Sequence, residues 1–413
     1  MFLCAYRRRR CLLLPAASLL LLAPLLASLL AAPPRPRASP PPDPDLPFFS
    51  ELRAALLADA DPFARALAAR AALGVWPISF SRLSALFVPP PPPTLREALR
   101  PSALAALSRA KARPWSSIAP YKPYAFAAAA SGEEAYNAEY RASWFAVTMR
   151  KAGWDCNRHL EILANGALPV FRNISATLAH GAQLAAYPKA LLALVEREAG
   201  AWAGAPGGLP PLRRLAALRH YALRWAHAHL TARAGAAYML RAAWHGAAAR
   251  GAPPPPVPRR VAFIDASLPQ MSDYLSQGVL FGLLELFGEG AVDVFYPVPY
   301  LYQGGPDTDA HGRALYGRGF GYAGKLPPPA TPPRAFAAMV ADLHAGRYDV
   351  AVWGSAIRSM DHLDGATAAA YAGQPERLWL CDGEDEAYNS WAEEGEGPWV
   401  SFGRNATVFV REF

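Results

Sequence analysis

Residues 151 to 171, KAGWDCNRHLEILANGALPVF, gather more reactive side chains than any other stretch of this chain. Asp155, Cys156, Arg158, His159 and Glu161 place an acid, a thiol, a guanidinium, an imidazole and a second acid within seven positions. Arg158 offers a planar fork of donors suited to a diphosphate. Glu161, one turn further on, is spaced to accept hydrogen bonds from ribose hydroxyls, and Gly166 lets backbone and ligand approach closely. His159 suits phosphate contact and is also a candidate base. The competing reading is a surface helix with an Arg–Glu pair and an ordinary Asn-Gly cap.

The elements that must carry these groups form one αβ unit. Leu160 and Leu163 give the helix an inward face, Asn165-Gly166 ends it, and 167–171 is an apolar strand. Elsewhere, 48–87 reads as helix and then a short strand at 75–80, 100–112 is helical, and 210–247 reads as one long helical stretch. A proline tract, 251–258, marks the expected domain boundary. Beyond it the pattern alternates: strands at 261–265, 292–296, 348–353 and 377–381, and helices at 273–287 and 334–345. Such alternation implies a parallel, doubly wound sheet. The expected class is α/β, with one domain over 48–250 and a second over 259–413.

In open α/β sheets ligands lie beyond the carboxyl ends of the strands. Ser355 and Arg358 follow one strand and are candidates for holding a phosphate or an acceptor. Asp382, Glu384 and Asp385 follow another; they are either a divalent-metal site or a solvated acidic loop, and the second reading is preferred. Asp273 is either a base for an acceptor hydroxyl or a plain helix cap, and Asp265 is a second candidate base. His311 falls in a loop long enough to act as a lid.

The motif run resembles the nucleotide-sugar-binding segment of exostosin-like glycosyltransferases and their algal, viral and bacterial relatives. Gly153, Trp154, Asp155, Cys156, Arg158, His159, Glu161, Gly166 and Pro169 match that family's pattern, nine positions of seventeen. Leu160 stands where the family has Tyr, and Ala167-Leu168 where it has Cys-Ile. Tyr140, Ser143, Phe145, Thr148 and Lys151 upstream, and Pro188-Lys189 and 230–240 downstream, extend the likeness. The second half is similar to the same group through SDYLSQGVLFGLLELFG (272–288), ALYGRGFGYAGKL (314–326), YDVAVWGS (348–355) and FVREF (409–413).

The resemblance implies two Rossmann-like domains in a GT-B-like arrangement and transfer of a sugar from a nucleotide-sugar to a glycan or protein acceptor. It assigns Lys151, Asp155, Arg158, Glu161 and Gly166 to the donor, with no required cofactor; a divalent metal is possible but not favoured. In that group the terminal piece leads into a half of the first type. Here the two halves either form one enzyme in this order or belong to a longer tandem chain. The alternative of another class is a non-catalytic binding or structural protein on a degenerate scaffold.

Composition bounds the rest. The 413 residues, 53% of them apolar, suffice for two domains. The net charge of +8 comes from 36 Arg and five Lys spread along the chain rather than in a stripe, which argues against nucleic-acid binding. Arg7 to Arg10 precede a charge-free stretch, 11–32, that as a helix would span roughly 33 Å. We read residues 1–10 as a cytosolic tail, 11–32 as a single-pass anchor and 33–47 as a proline-rich stem; a cleaved signal peptide is the competing reading. This is the layout of a type II protein of the Golgi or endoplasmic reticulum, with the remainder lumenal. Asn173 and Asn405 are then available for glycosylation. Cys4 and Cys11 flank the anchor; Cys156 and Cys381 are lumenal, and spacing leaves open whether they pair.

Overall fold

The structure is a computed structural model that describes residues 45–59, 61, 63, 75–120, 132–151, 153–175, 183–203, 211–253, 255–305, 315–384 and 406–411. The expected tail, the anchor, most of the stem, His311, Asp385 and Asn405 lie outside the described residues. Among those described, no helix is long and apolar enough to cross a membrane.

Two parallel sheets organise a mixed α/β fold. The smaller joins β2 (Arg113–Trp115), β3 (Ser143–Thr148) and β4 (Leu168–Phe171) in the order β2-β3-β4. The larger contains β1 (Val75–Pro77), β5 (Val261–Ile264), β6 (Val292–Val294), β7 (Val350–Trp353), β8 (Leu378–Asp382) and β9 (Thr407–Val410). Its order is β1-β9-β8-β7-β5-β6, with every pairing parallel. β5, β7, β8 and β9 are buried along their whole length. That is why they read as continuous apolar runs and not as alternating ones.

The boundary expected at 251–258 needs correction, because the halves of the chain are not the two sheets. Val75 pairs with Val408 and Pro77 with Val410, so the first half contributes an edge strand to the second sheet. An edge position suits a strand containing proline, which has no N–H to donate. The helix Ala232–Ala249 also crosses over and packs on the helix Tyr274–Phe287. Small residues make that approach possible: a Cβ on Gly282 would lie 2.3 Å from the carbonyl oxygen of Ala232. The helical stretch expected at 210–247 is broken into Leu212–His229 and Ala232–Ala249. Thr231 caps the second helix by accepting from the N–H of Ala234, and it forms a bridge with Arg82.

Candidate functional site

The carboxyl ends of both sheets meet at one cleft of about 270 Å³. The motif region after β3 supplies Lys151, Asp155, Asn157, Arg158 and Glu161. The facing wall carries Asp273 and Tyr274 after β5, Arg358 after β7, Gly383 after β8 and Arg411 after β9. Phe80, just beyond β1, and Gly317, from the loop before residue 326, also line it. Parallel strands end their hydrogen bonding here, and loops that follow them are free to carry polar groups. Six of the residues named in advance are thereby brought together: Lys151, Asp155, Arg158, Glu161, Asp273 and Arg358.

The motif helix, Asn157–Ala164, starts at this cleft with Cys156 as its N-cap, and no side chain caps it by a hydrogen bond. Its first N–H groups and the positive end of its dipole therefore border the cleft. Arg158 is 5% exposed. Lys151 is exposed and makes no ion pair among the described residues. Burial pushes the Cys156 thiol up to about 11, which keeps it protonated at neutral pH. Cys156 and Cys381 are both free, so no disulfide joins them.

The acidic groups are already engaged. Asp155 accepts a hydrogen bond from the N–H of Phe80 at 2.9 Å, and its carbonyl oxygen accepts from the Arg411 guanidinium. Burial pushes its carboxyl above the usual range, against the pull of Arg411. Arg411 also donates to the carbonyl of Gly383 at 2.9 Å and lies 4.7 Å from the Phe80 ring centroid. Glu161 accepts from Arg82 Nη2 at 3.1 Å, Asn157 Nδ2 at 3.1 Å and the Tyr136 hydroxyl at 2.6 Å. Asp273 caps the helix Tyr274–Phe287, its Oδ1 accepting from the N–H groups of Leu275 and Ser276 at 3.0 Å. Its other oxygen is 3.3 Å from Arg358, which is also paired with Glu384 at 2.7 Å. Four basic side chains (Lys151, Arg158, Arg358, Arg411) thus face three acidic ones (Asp155, Glu161, Asp273) that have partners. The surplus cation beside a helix N-terminus suits an anionic ligand.

Several named residues are placed elsewhere. His159 is fully buried and does not line the cleft, which corrects its candidacy as base or phosphate contact. Its Nε2 is 2.8 Å from the carbonyl of Trp154 and its Nδ1 is 2.7 Å from the Thr148 hydroxyl. A carbonyl only accepts, so Nε2 carries the hydrogen, and both ring nitrogens are engaged within the core. Gly166 is also corrected. It ends the motif helix at φ +69, with its N–H on Leu163 and that of Ala167 on Ile162, the expected glycine cap. A Cβ there would come 2.8 Å from Arg219 Nη2, and Gly166 does not line the cleft.

Asp265 is 1% exposed and accepts from Ser267, Leu268 and Ser276, so it builds the turn after β5 and faces no acceptor. Ser355 is 1% exposed and lies behind the lining. Asp382 accepts from the N–H of Glu384 at 3.0 Å, and burial pushes its carboxyl up to about 6. Glu384 turns to Arg358, and no group of three potential metal ligands occurs among the described residues. Asn173 is exposed, with Ser175 Oγ donating to its Oδ1 at 2.9 Å.

Sequence reasoning passed over Phe80, Arg82, Tyr274 and Arg411. Arg411 sat in the quoted terminal segment, so a signal existed. Arg82 gave none, because its partners Glu161 and Phe320 are 79 and 238 residues away. Searches of protein-family models, of curated proteins and of solved structures each return no match to this chain.

Proposed function

We propose that the protein is a nucleotide-sugar-dependent glycosyltransferase with two Rossmann-like units in a GT-B-like arrangement. The observation that carries this reading is the convergence of both parallel sheets, carboxyl ends first, on one cleft that holds Lys151, Arg158 and the start of the motif helix. In this reading Lys151, Arg158 and the first N–H groups of the helix bind the diphosphate. The same groups stabilise the charge that builds on the departing nucleoside diphosphate, where fixed donors act most strongly. The facing wall, with Asp273, Tyr274 and Arg358, receives the glycan or glycoprotein acceptor and holds it against the donor. The sequence of residues 7–47 supports a lumenal setting behind a membrane anchor in the Golgi or endoplasmic reticulum.

One observation favours the second reading, a non-catalytic binding protein on the same scaffold. Asp273, the cleft acid nearest a base role, is buried, caps a helix and is paired with Arg358. Incubation with a panel of nucleotide-sugars and glycan acceptors separates the two. Release of nucleoside diphosphate that rises with acceptor and falls in Arg158→Ala supports transfer. Binding of a nucleotide-sugar without turnover selects the second reading.

A further inference from the structure

Arg82 stands where three parts of the chain meet. It lies in the segment after β1, and its main chain pairs with Leu230 and Ala232. Its side chain is 3% exposed. One nitrogen, Nη2, donates both to Glu161 Oε1 at 3.1 Å and to the carbonyl of Phe320 at 2.8 Å. The first partner is on the motif helix; the second is in the glycine-rich loop 315–326. The guanidinium carbon is 5.6 Å from the centroid of the Tyr322 ring, and the Tyr322 hydroxyl reaches Asn157, a neighbour of Glu161, at 3.3 Å.

The loop is shaped to receive this side chain. Gly321 has φ +83, and a Cβ there would fall 2.1 Å from Arg82 Nη2. Glu133 also holds the loop, accepting from the N–H of Gly321 at 2.9 Å and from Lys325 Nζ at 2.8 Å. The loop borders the cleft at Gly317, where a Cβ would come 2.1 Å from the Tyr274 hydroxyl. Arg82 itself does not line the cleft, so anything it does there it does through Glu161 and the loop.

We propose that Arg82 is a positioning residue that couples the Glu161 carboxylate to loop 315–326, so that one guanidinium sets both borders of the ligand cleft. Any consequence for a bound nucleotide-sugar rests on the function proposed above; the coupling itself belongs to the ligand-free protein. Burying an ion pair is a poor way to gain stability, since apolar replacements of similar volume often serve as well. What the pair supplies that apolar packing lacks is direction: two bonds from one nitrogen to two separate segments.

The test is amide hydrogen exchange on the full chain, resolved over 157–164 and 317–324, without ligand. Arg82→Met is expected to speed exchange roughly tenfold or more in both segments. Arg82→Lys is expected to hold both near wild type, because an ammonium also donates twice from one nitrogen. Glu133→Gln is expected to open the loop alone. Opening of one segment only by the Met variant, or equal disruption by Lys and Met, overturns the coupling.

If Arg82→Met fails to fold, Gly321→Ala pushes the guanidinium from the loop side with the charge intact. Faster exchange in both segments supports the coupling, and an unchanged motif helix overturns it. In a transfer assay Arg82→Met is expected to lower kcat on the order of 100-fold with a smaller change in KM, with Lys restoring it. Absence of any nucleotide binding by the wild type would count against the proposed function and leave the exchange result to judge the coupling.

Discussion

Glu161→Ala is expected to act first on stability. The Arg82–Glu161 side chains are 3% and 7% exposed, so the pair is screened little by solvent. Truncation takes from the buried Arg82 guanidinium its hydrogen-bonded carboxylate, a loss of about 3–5 kcal/mol. The Tyr136 hydroxyl adds little, because the Tyr140 hydroxyl remains 3.1 Å away. Against a total stability of roughly 5–15 kcal/mol for a typical domain, that loss is large. Glu161→Gln keeps the shape, and its amide oxygen still accepts from Arg82, so about 1–2 kcal/mol is expected. Urea unfolding followed by tryptophan fluorescence measures both. An alanine variant within about 1 kcal/mol of wild type would refute the reasoning, since a truly paired buried charge cannot be orphaned so cheaply. The glutamine variant, not alanine, is therefore the one to assay for ligand effects.

At Cys156, a thiol pushed up to about 11 is about one part in a thousand thiolate at pH 8, so alkylation is expected to run roughly 200-fold slower than for a free cysteine and to rise steeply toward pH 11. Asp382 holds its proton more tightly when folded, so its favourable contribution is complete below the usual carboxylate range and fades as pH climbs through about 6. Asp382→Asn is accordingly expected to gain up to about 3 kcal/mol relative to wild type between pH 4 and pH 7.5 in urea titrations; parallel pH curves would contradict it. Gly282→Ala, whose Cβ would meet the Ala232 carbonyl, is expected to cost about 1–3 kcal/mol and to lower Tm. When the full chain is expressed in a secretory host, glycosidase treatment is expected to shift the wild type further than Asn173→Gln; an equal shift would show that Asn173 is unmodified.

What the sequence made legible, and what it hid, follows from the range of the interactions. Strands β5, β7 and β8 could be read because parallel strands buried on both faces leave unbroken apolar runs such as VAFI and VAVW. The helix Tyr274–Phe287 could be bounded because its cap, Asp273, and its stop, Gly288 at φ +84, act locally. β2 was hidden: Arg-Pro-Trp is mostly exposed and carries no strand pattern. The membership of Val75–Pro77 in the other sheet was hidden as well, since its partners lie more than 300 residues away.

The site divides the same way. Arg158 and Glu161 could be picked out because helix spacing puts them near one helix start, whereas Lys151 was singled out only through the resemblance. His159 could not be told from them, because only the tertiary placement of Thr148 and the Trp154 carbonyl makes it a core residue. Glu161 was read as a direct ligand contact, whereas the fold surrounds it with Arg82, Asn157 and Tyr136, two of them from distant segments.

The central claim is that the cleft between the sheets binds a nucleoside diphosphate through Lys151 and Arg158. The most direct measurement is thermal unfolding of the full chain against a panel of nucleoside diphosphates and nucleotide-sugars, beside Lys151→Ala and Arg158→Ala. At about 100 times its dissociation constant, a ligand of the native state adds roughly 2.7 kcal/mol. The account predicts such a shift for one nucleotide class, reduced in Lys151→Ala, whose exposed side chain can be removed without disturbing the core, and lost in Arg158→Ala. No shift with any nucleotide in well-folded protein, or a shift that survives both substitutions undiminished, would contradict it.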